Sequence, residues 1–525
     1  MKASTGRFAR SISLALLAAM SVAAGAVTSG KGDTTQSWEP LVPSLESDAH
    51  QPLLPSLSTG YAYDPAFADH GVSIDRFAGS PGYYRGEKML RLANGDVIVA
   101  GTVLIDGVDQ LGIVRYSPSG RRQTWSTITP SYSRYNGQYI VYPNDPATDP
   151  KLSHVADIKR YNGNLYVLAT QTYRASNGLD KYQPVIVAFS ENGAYRGWWF
   201  VRIDDDVYNN PLAMDISSNG RLTLLAGNSG GGLWTRLWTA RFKIDAGGAP
   251  VLDPAFGNGG AAMFELPASL SACPAALGGN CPISAVDIAH EAGFVLPVNP
   301  SFYVAFTKKY DNNGDHDPCI AAFDGLGGLR TAFNGSGVRC YPFDDAGGNH
   351  DDEAIAIDTD FHVVFGNPVA YVQDIHLLAG VSRQYSSGTG LLRVDSAGAP
   401  VTQFGGTGKI LWGGCGAGCS VDLGDDIPLA LARRGANIGV VGHWKPNLVD
   451  QPELSIVDAM TGAISDFHVH GIATGDANYN DVVGDAFGFT GAGWAKDGAS
   501  SRMFVTSRLV PAPLADDTIF RYGCE

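Results

Sequence analysis

The residues with the clearest capacity for chemistry are oxygen and imidazole donors grouped in short polar runs. Asp311-Asn312-Asn313-Gly314-Asp315-His316-Asp317 sets Asp311, Asn313, Asp315 and Asp317 at alternating positions, where their oxygens can converge on one calcium ion. The run departs from the EF-hand loop, which requires Gly at the sixth place and Glu at the twelfth; here His316 and Ala322 stand there. His350-Asp351-Asp352-Glu353, with Asp344 and Asp345 upstream, is the densest acidic cluster. It reads either as a hard-cation site or as the turn residues that open a strand, because Asp425-Asp426 stands in the equivalent place of the next repeat. His154, Asp351, Asp352, Glu353, Asp425, Asp426 and Asp481 accompany one class of strand, and they meet at a channel mouth if that strand lines a channel. His468 and His470 share a strand face by the period-two rule, and Trp198, Trp199, Trp412, Trp444 and Trp494 can stack on sugar rings or pack between strands. The sequence holds no G-x-S-x-G elbow, H-E-x-x-H pair or phosphate-cradling loop at a credible position.

Charge and composition narrow the class of partner. The 525 residues carry a formal net charge of −15, so phosphate backbones are poor partners and nucleic acid is excluded as a ligand class. Charged residues make up only 17 % of the chain while Gly (65) and Pro (29) abound, which suits a turn-rich β protein and not a helical bundle. Residues 1–26 have the basic, apolar and small-residue segments of a secretory signal, with Lys2, Arg7 and Arg10 before a short apolar run and Ala24-Gly25-Ala26 after it. Export to the periplasm, cell surface or medium is therefore expected, with no transmembrane segment after signal removal. Seven cysteines in an exported chain suggest disulfides, and the simplest local pairs are Cys273/Cys281, Cys319/Cys340 and Cys415/Cys419, with Cys524 alone.

The elements that must position these groups are short strands. Residues 27–60 read as a linker, 61–510 as a single repeating β region and 511–525 as a tail. Within the repeating region Asn94-Gly95, Asn162-Gly163 and Asn219-Gly220 each sit between alternating runs, the strongest short-range hairpin signal. Seven copies of a roughly four-stranded unit predict an all-β, seven-bladed β-propeller; a β-helix or solenoid is the alternative. A Phe-Gly element recurs with the hairpins, and its aromatic residues Phe67, Phe256, Phe333 and Phe404 read as packing anchors in blade-to-blade connectors.

Leu252-Asp253-Pro254-Ala255-Phe256-Gly257-Asn258-Gly259-Gly260, Asp352-Glu353-Ala354-Ile355-Ala356 and Val99-Ala100-Gly101 together resemble the delta-60 repeats of exported bacterial proteins. The resemblance spans about residues 61–510, implies propeller-like repeats and brings no catalytic residues with it. The expected function is a non-catalytic binding or structural module that recognises a glycan or surface protein through loops at one face or the channel mouth. A secreted polysaccharide hydrolase or lyase, with carboxylates and His at the mouth, is the alternative. A calcium-stabilised adhesin is the third reading.

Overall fold

The structure is a computed structural model. It describes residues 61–511 apart from 69–71, 76–83, 106–107, 124–131, 136–137, 142–150, 175–179, 202–208, 229–236, 265, 267–282, 293–298, 310–315, 344–350, 365–369, 383–385, 414–424, 446–448, 470–475, 486–487 and 498–500. The expected signal segment and linker lie outside the described residues, as does the tail beyond Pro511.

Alternating, β-branched-rich runs closed by Gly-containing turns fold into seven antiparallel sheets. Two short strands, β1 (Tyr61–Tyr63) and β2 (Val72–Asp75), come first. Blade 1 contains β3 (Tyr84–Arg91), β4 (Val97–Ile105), β5 (Val108–Tyr116), β6 (Tyr132–Tyr135) and β7 (Gln138–Val141). Blade 2 contains β8 (Lys151–Tyr161), β9 (Asn164–Arg174), β10 (Asp180–Ser190) and β11 (Tyr195–Phe200). Blade 3 is built from β12 (Asn209–Ile216), β13 (Arg221–Asn228), β14 (Leu237–Ile244), β15 (Pro250–Leu252) and β16 (Ala261–Phe264). Blade 4 follows with β17 (Ile283–His290), β18 (Phe302–Lys309), β19 (His316–Phe323) and β20 (Val338–Cys340). Blade 5 has β21 (Asp352–Val364), β22 (Ala370–Ser382), β23 (Ser387–Asp395) and β24 (Lys409–Trp412). Blade 6 has β25 (Asp425–Arg434), β26 (Asn437–Lys445), β27 (Gln451–Asp458) and β28 (Ile464–Val469). Blade 7 takes β29 (Ala477–Gly484), β30 (Phe489–Asp497) and β31 (Ser501–Pro511) from the end of the region and borrows β1 and β2 from its start.

The first strand of every blade touches the first strand of the next, and the cycle closes from β29 back to β3. These seven strands therefore line a central channel, and the chain is a seven-bladed β-propeller. The two borrowed strands complete the seam: Tyr61 pairs with Pro511, and Val72 with Ser507. Asn162-Gly163 makes a two-residue hairpin with both residues at positive φ, 47° and 74°, which only Asn and Gly tolerate readily. Apolar residues of facing blades interleave between the sheets, with Ile98, Val167 and Val187 in one such layer and Ile375, Leu392 and Tyr303 in another.

The Phe-Gly element corrects one expectation. It does not run from one blade to the next: Phe256 lies between β15 and β16, which both pair with β14, so the element is a turn inside its own blade. Its side chain and backbone nevertheless clasp the following blade. The residue after each Phe donates its N–H to a carbonyl in the next blade, at 2.7 Å for Ala68 to Ser119, 2.8 Å for Gly257 to Leu326, 2.9 Å for Asn334 to Ala397 and 2.8 Å for Gly405 to Thr461. All four donors have positive φ, between 47° and 59°. The rings of Phe67, Phe256, Phe333 and Phe404 are buried, each against a glycine of that neighbour, Gly120, Gly327, Gly398 and Gly462. A Cβ on Gly120, Gly327 or Gly398 would meet the ring or its turn within 3.0 Å, and one on Gly462 would meet Ile410 at 2.8 Å and the Phe404 ring at 3.3 Å. Each buried Phe and its partner glycine thus form the two halves of one joint.

Of the expected disulfides, Cys319–Cys340 joins β19 to β20 at paired positions, while Cys273, Cys281, Cys415 and Cys419 lie outside the described residues.

Phe333→Ala should lower unfolding free energy by about 3–5 kcal/mol, the range for emptying a buried aromatic site. Ala68→Gly should instead raise it by about 0.5–1 kcal/mol by relieving a left-handed alanine. Urea midpoints of the two variants check the pair, and an unchanged midpoint for Phe333→Ala would remove the clasp from the stability account.

Candidate functional site

Every inner strand slips register by a bulge near its start, at Glu87, Ala156, Leu212, Val286, Ile355, Leu429 and Asn480. Strand alternation then fixes where the next side chains go. The residue after the bulge is Lys88, Asp157, Asp287 and Asp481 in blades 1, 2, 4 and 7, and alanine in the remaining three. Two positions further on lie Lys159 of blade 2, Asp215 of blade 3 and Asp358 of blade 5. These groups act on one another from opposite sides of the ring: Lys88 feels Asp481, Asp157 and Asp287, and Lys159 feels Asp157, Asp215, Asp287 and Asp481. Five aspartates and two lysines therefore converge on the axis.

Three of the aspartates have the same double role. Asp157, Asp287 and Asp481 each accept the N–H of their own following residue at 2.7–3.0 Å. With the other oxygen each reaches the inner strand of the next blade, to Met214 N–H at 3.0 Å, Ile357 N–H at 2.9 Å and Met89 N–H at 2.7 Å. Asp215 does the same for blade 4, accepting from the His290 backbone at 2.7 Å and lying 3.0 Å from its Nδ1.

The charges tune one another. Burial alone would lower both lysines, but the surrounding carboxylates more than offset it and hold Lys88 and Lys159 above the usual lysine value. Burial would raise Asp215, yet its hydrogen bond and attraction to His290 hold it well below the usual range. Burial pushes Asp287 up to about 6 against the pull of Lys159 and Lys88, and Asp358 up to about 7 against Arg433. The axis thus holds a carboxylate that stays ionised, Asp215, and a carboxyl that changes protonation near neutrality, Asp358.

The contacts of the seven sequence candidates among the described residues are these. Asp481 alone joins the axial set. His154, at φ 45°, is exposed and sets Nδ1 3.0 Å from Glu87 Oε1. Asp352 is buried and accepts the Phe343 N–H at 2.9 Å; Asp425 accepts the Ser387 N–H at 2.7 Å. Asp426 is buried beside Glu453, whose carboxyl is raised well above the usual range by burial and then by Asp426, with which it hydrogen-bonds. Ser455 Oγ donates to Glu453 at 2.9 Å and receives the Trp412 indole N–H at 3.1 Å. A hydrogen-bonded carboxyl pair leaves no room for the roughly 5 Å separation that a retaining glycosidase needs, so this pair is a proton-sharing strut. Asp351 and Glu353 do meet, around His316 of blade 4. Asp317 is buried in β19 opposite Lys308, while Asp311, Asn313 and Asp315 lie outside the described residues, as do Asp344, Asp345, His350 and His470. Trp412 and Trp494 are buried, and Trp198 and Trp199 pack against interblade apolar layers.

Asp157, Asp215, Asp287, Asp358, Lys88 and Lys159 were not singled out in the sequence, since each sits inside an ordinary alternating strand. The usable signal was positional: a charged residue in the inward phase of a strand whose other inward residues are Ala, Leu, Ile or Val.

Asp358 yields a pH test. Its folded value lies above that of an unfolded aspartate, so its contribution is complete at low pH and is lost as pH rises through about 7. Asp358→Asn removes that loss. Relative to wild type the variant should gain about 1–2 kcal/mol between about pH 6 and pH 8.5, read from urea unfolding. A difference that stays flat over this range would show that Asp358 is not a buried acid.

No family model matches the chain, and no curated protein matches it. Among solved structures it is similar to a protein of unknown function from Dyadobacter fermentans DSM 18053, at 10 % identity and TM-score 0.38, covering 86 % of this chain and 100 % of that one. It is similar to the polysaccharide lyase Uly1 at 11 % identity and TM-score 0.41, covering 81 % and 90 %. A GH43 endo-arabinanase from Bacillus licheniformis aligns at 16 % identity and TM-score 0.28, covering 59 % and 92 %. None of the three carries an activity across to this chain.

Proposed function

We propose that this chain is an exported, non-catalytic binding propeller of the delta-60 repeat type. It would hold a glycan or a surface protein with loops on the face where the inner strands begin. The observation that carries this reading is the use already made of the carboxylates. Asp157, Asp215, Asp287 and Asp481 accept backbone N–H groups of the neighbouring blade, and Asp426 and Glu453 are buried against each other. A carboxylate that holds two N–H groups is a poor base and nucleophile, because protonation or attack would break both bonds. Accessible polar groups at the mouth are left to recognition, with the His154 side chain 55 % exposed beside Glu87.

A second reading, a secreted polysaccharide hydrolase or lyase, is favoured by one observation, the divergence of Asp215 and Asp358, which both project from inner strands.

A glycan array followed by a turnover assay on each hit separates the two. The binding reading expects saturable binding that His154→Ala weakens at least tenfold, with no new reducing ends or unsaturated sugars. Product that disappears in Asp358→Asn would overturn it in favour of the second. N-terminal sequencing of the protein recovered outside the cytoplasm should begin at Val27; an intact Met1 would overturn export.

A further inference from the structure

We propose that His316, Asp351 and Glu353 form a zinc site that ties blade 4 to blade 5 on the face where the inner strands begin. His316 is the first residue of β19, and Asp351 immediately precedes β21 of the next blade. An isolated parallel bridge pairs the backbones of His316 and Asp351, so two of the donors are fixed side by side by main chain. Strand alternation turns Asp351 and Glu353 to one side while Asp352 between them points inward and is buried. One ligand atom from each of the three residues lies within 4.8 Å of the other two, with His316 Nδ1 3.6 Å from Glu353 Oε1 and in close contact with Asp351 Oδ1.

The imidazole adds to this geometry. Its side chain is nine-tenths buried, and Nδ1 is aimed at two carboxylates, ion-paired with Asp351 and 3.6 Å from Glu353. Two carboxylates gathered at one buried ring repel each other unless a positive charge stands between them. A cation between the three residues supplies that charge and takes the lone pair of the ring. Tetrahedral zinc, with ligands at about 2.0–2.2 Å, holds its ligand atoms roughly 3.4 Å apart, a spacing within small side-chain movements of the one present. One imidazole with two carboxylates suits zinc better than calcium, which prefers an all-oxygen shell of six to eight ligands. Three protein donors leave the fourth position for water. Lys309 pairs with His316 in register across β18 and β19, so its side chain is the competing cation.

The site does not depend on what the propeller binds, and its test has no functional readout. Metal-stripped protein would be titrated with zinc chloride by calorimetry, with calcium chloride as a parallel arm, and its thermal midpoint followed. Zinc should bind at one equivalent to this site and raise the midpoint, and calcium should do neither. Glu353→Gln, on a half-exposed side chain that the fold does not need, should weaken that equivalent at least tenfold, and His316→Ala should abolish it. Loss in the Glu353 variant alone suffices if His316→Ala fails to fold. Absence of zinc binding overturns the proposal, as does zinc binding that survives both substitutions or a midpoint shift equal for calcium and zinc.

Discussion

The ring stands on backbone N–H groups of inner strands that find their partner on the neighbouring blade. Bulges turn these groups toward the neighbouring blade, and a carboxylate there receives them. Glu87 does so for Val155, and the two remaining boundaries are bridged by Arg433 with Asp360 and by Arg434 with the Asp485 carbonyl. Every pair of adjacent blades therefore has a polar link close to the axis. Asp157 is buried, and an unpaired oxygen or N–H there would cost about 1–3 kcal/mol; the partly exposed Asp215, Asp287 and Asp481 would lose less, so the links direct the blades more than they stabilise them.

Farther from the axis the same problem is solved with apolar contact. The Phe clasp sets a ring against a glycine and adds one backbone hydrogen bond beside it. The two layers are complementary. Carboxylates fix direction near the axis, where side chains crowd, and aromatic rings fill volume where the blades diverge. Among the described residues the clasp occurs at four of the seven boundaries, between blades 7 and 1 and in succession from blade 3 to blade 6.

Architecture was legible because it is written locally. Asn-Gly turns, alternating runs and the Phe-Gly element repeat within a few residues of one another, and the seven-bladed reading follows from their recurrence. Chemistry was less legible because it is assembled across blades. Nothing near Asp287 in sequence announces that Lys88 and Lys159 face it across a channel, and nothing links His316 to Asp351 except the bridge between two blades. Reading the acidic cluster at 351–353 as one unit also concealed its division, since adjacent residues of a strand face opposite sides and Asp352 serves the interior while its neighbours do not. The Phe-Gly element was assigned to the wrong path for the same reason: sequence shows order along the chain, and the clasp acts perpendicular to it.

The seam in blade 7 has a further consequence for the order of events in folding. Tyr61 donates its N–H to Asp466, 405 residues away, and β31 cannot complete its sheet without β1 and β2. Six blades can mature as they are made, each from neighbours in sequence, while the first strands wait for the last. Until they meet, β31 is an open edge and the circle is an arc. The contact that closes the ring thus joins strands from the two ends of the described region, and its loop-closure entropy is the largest of the blade contacts.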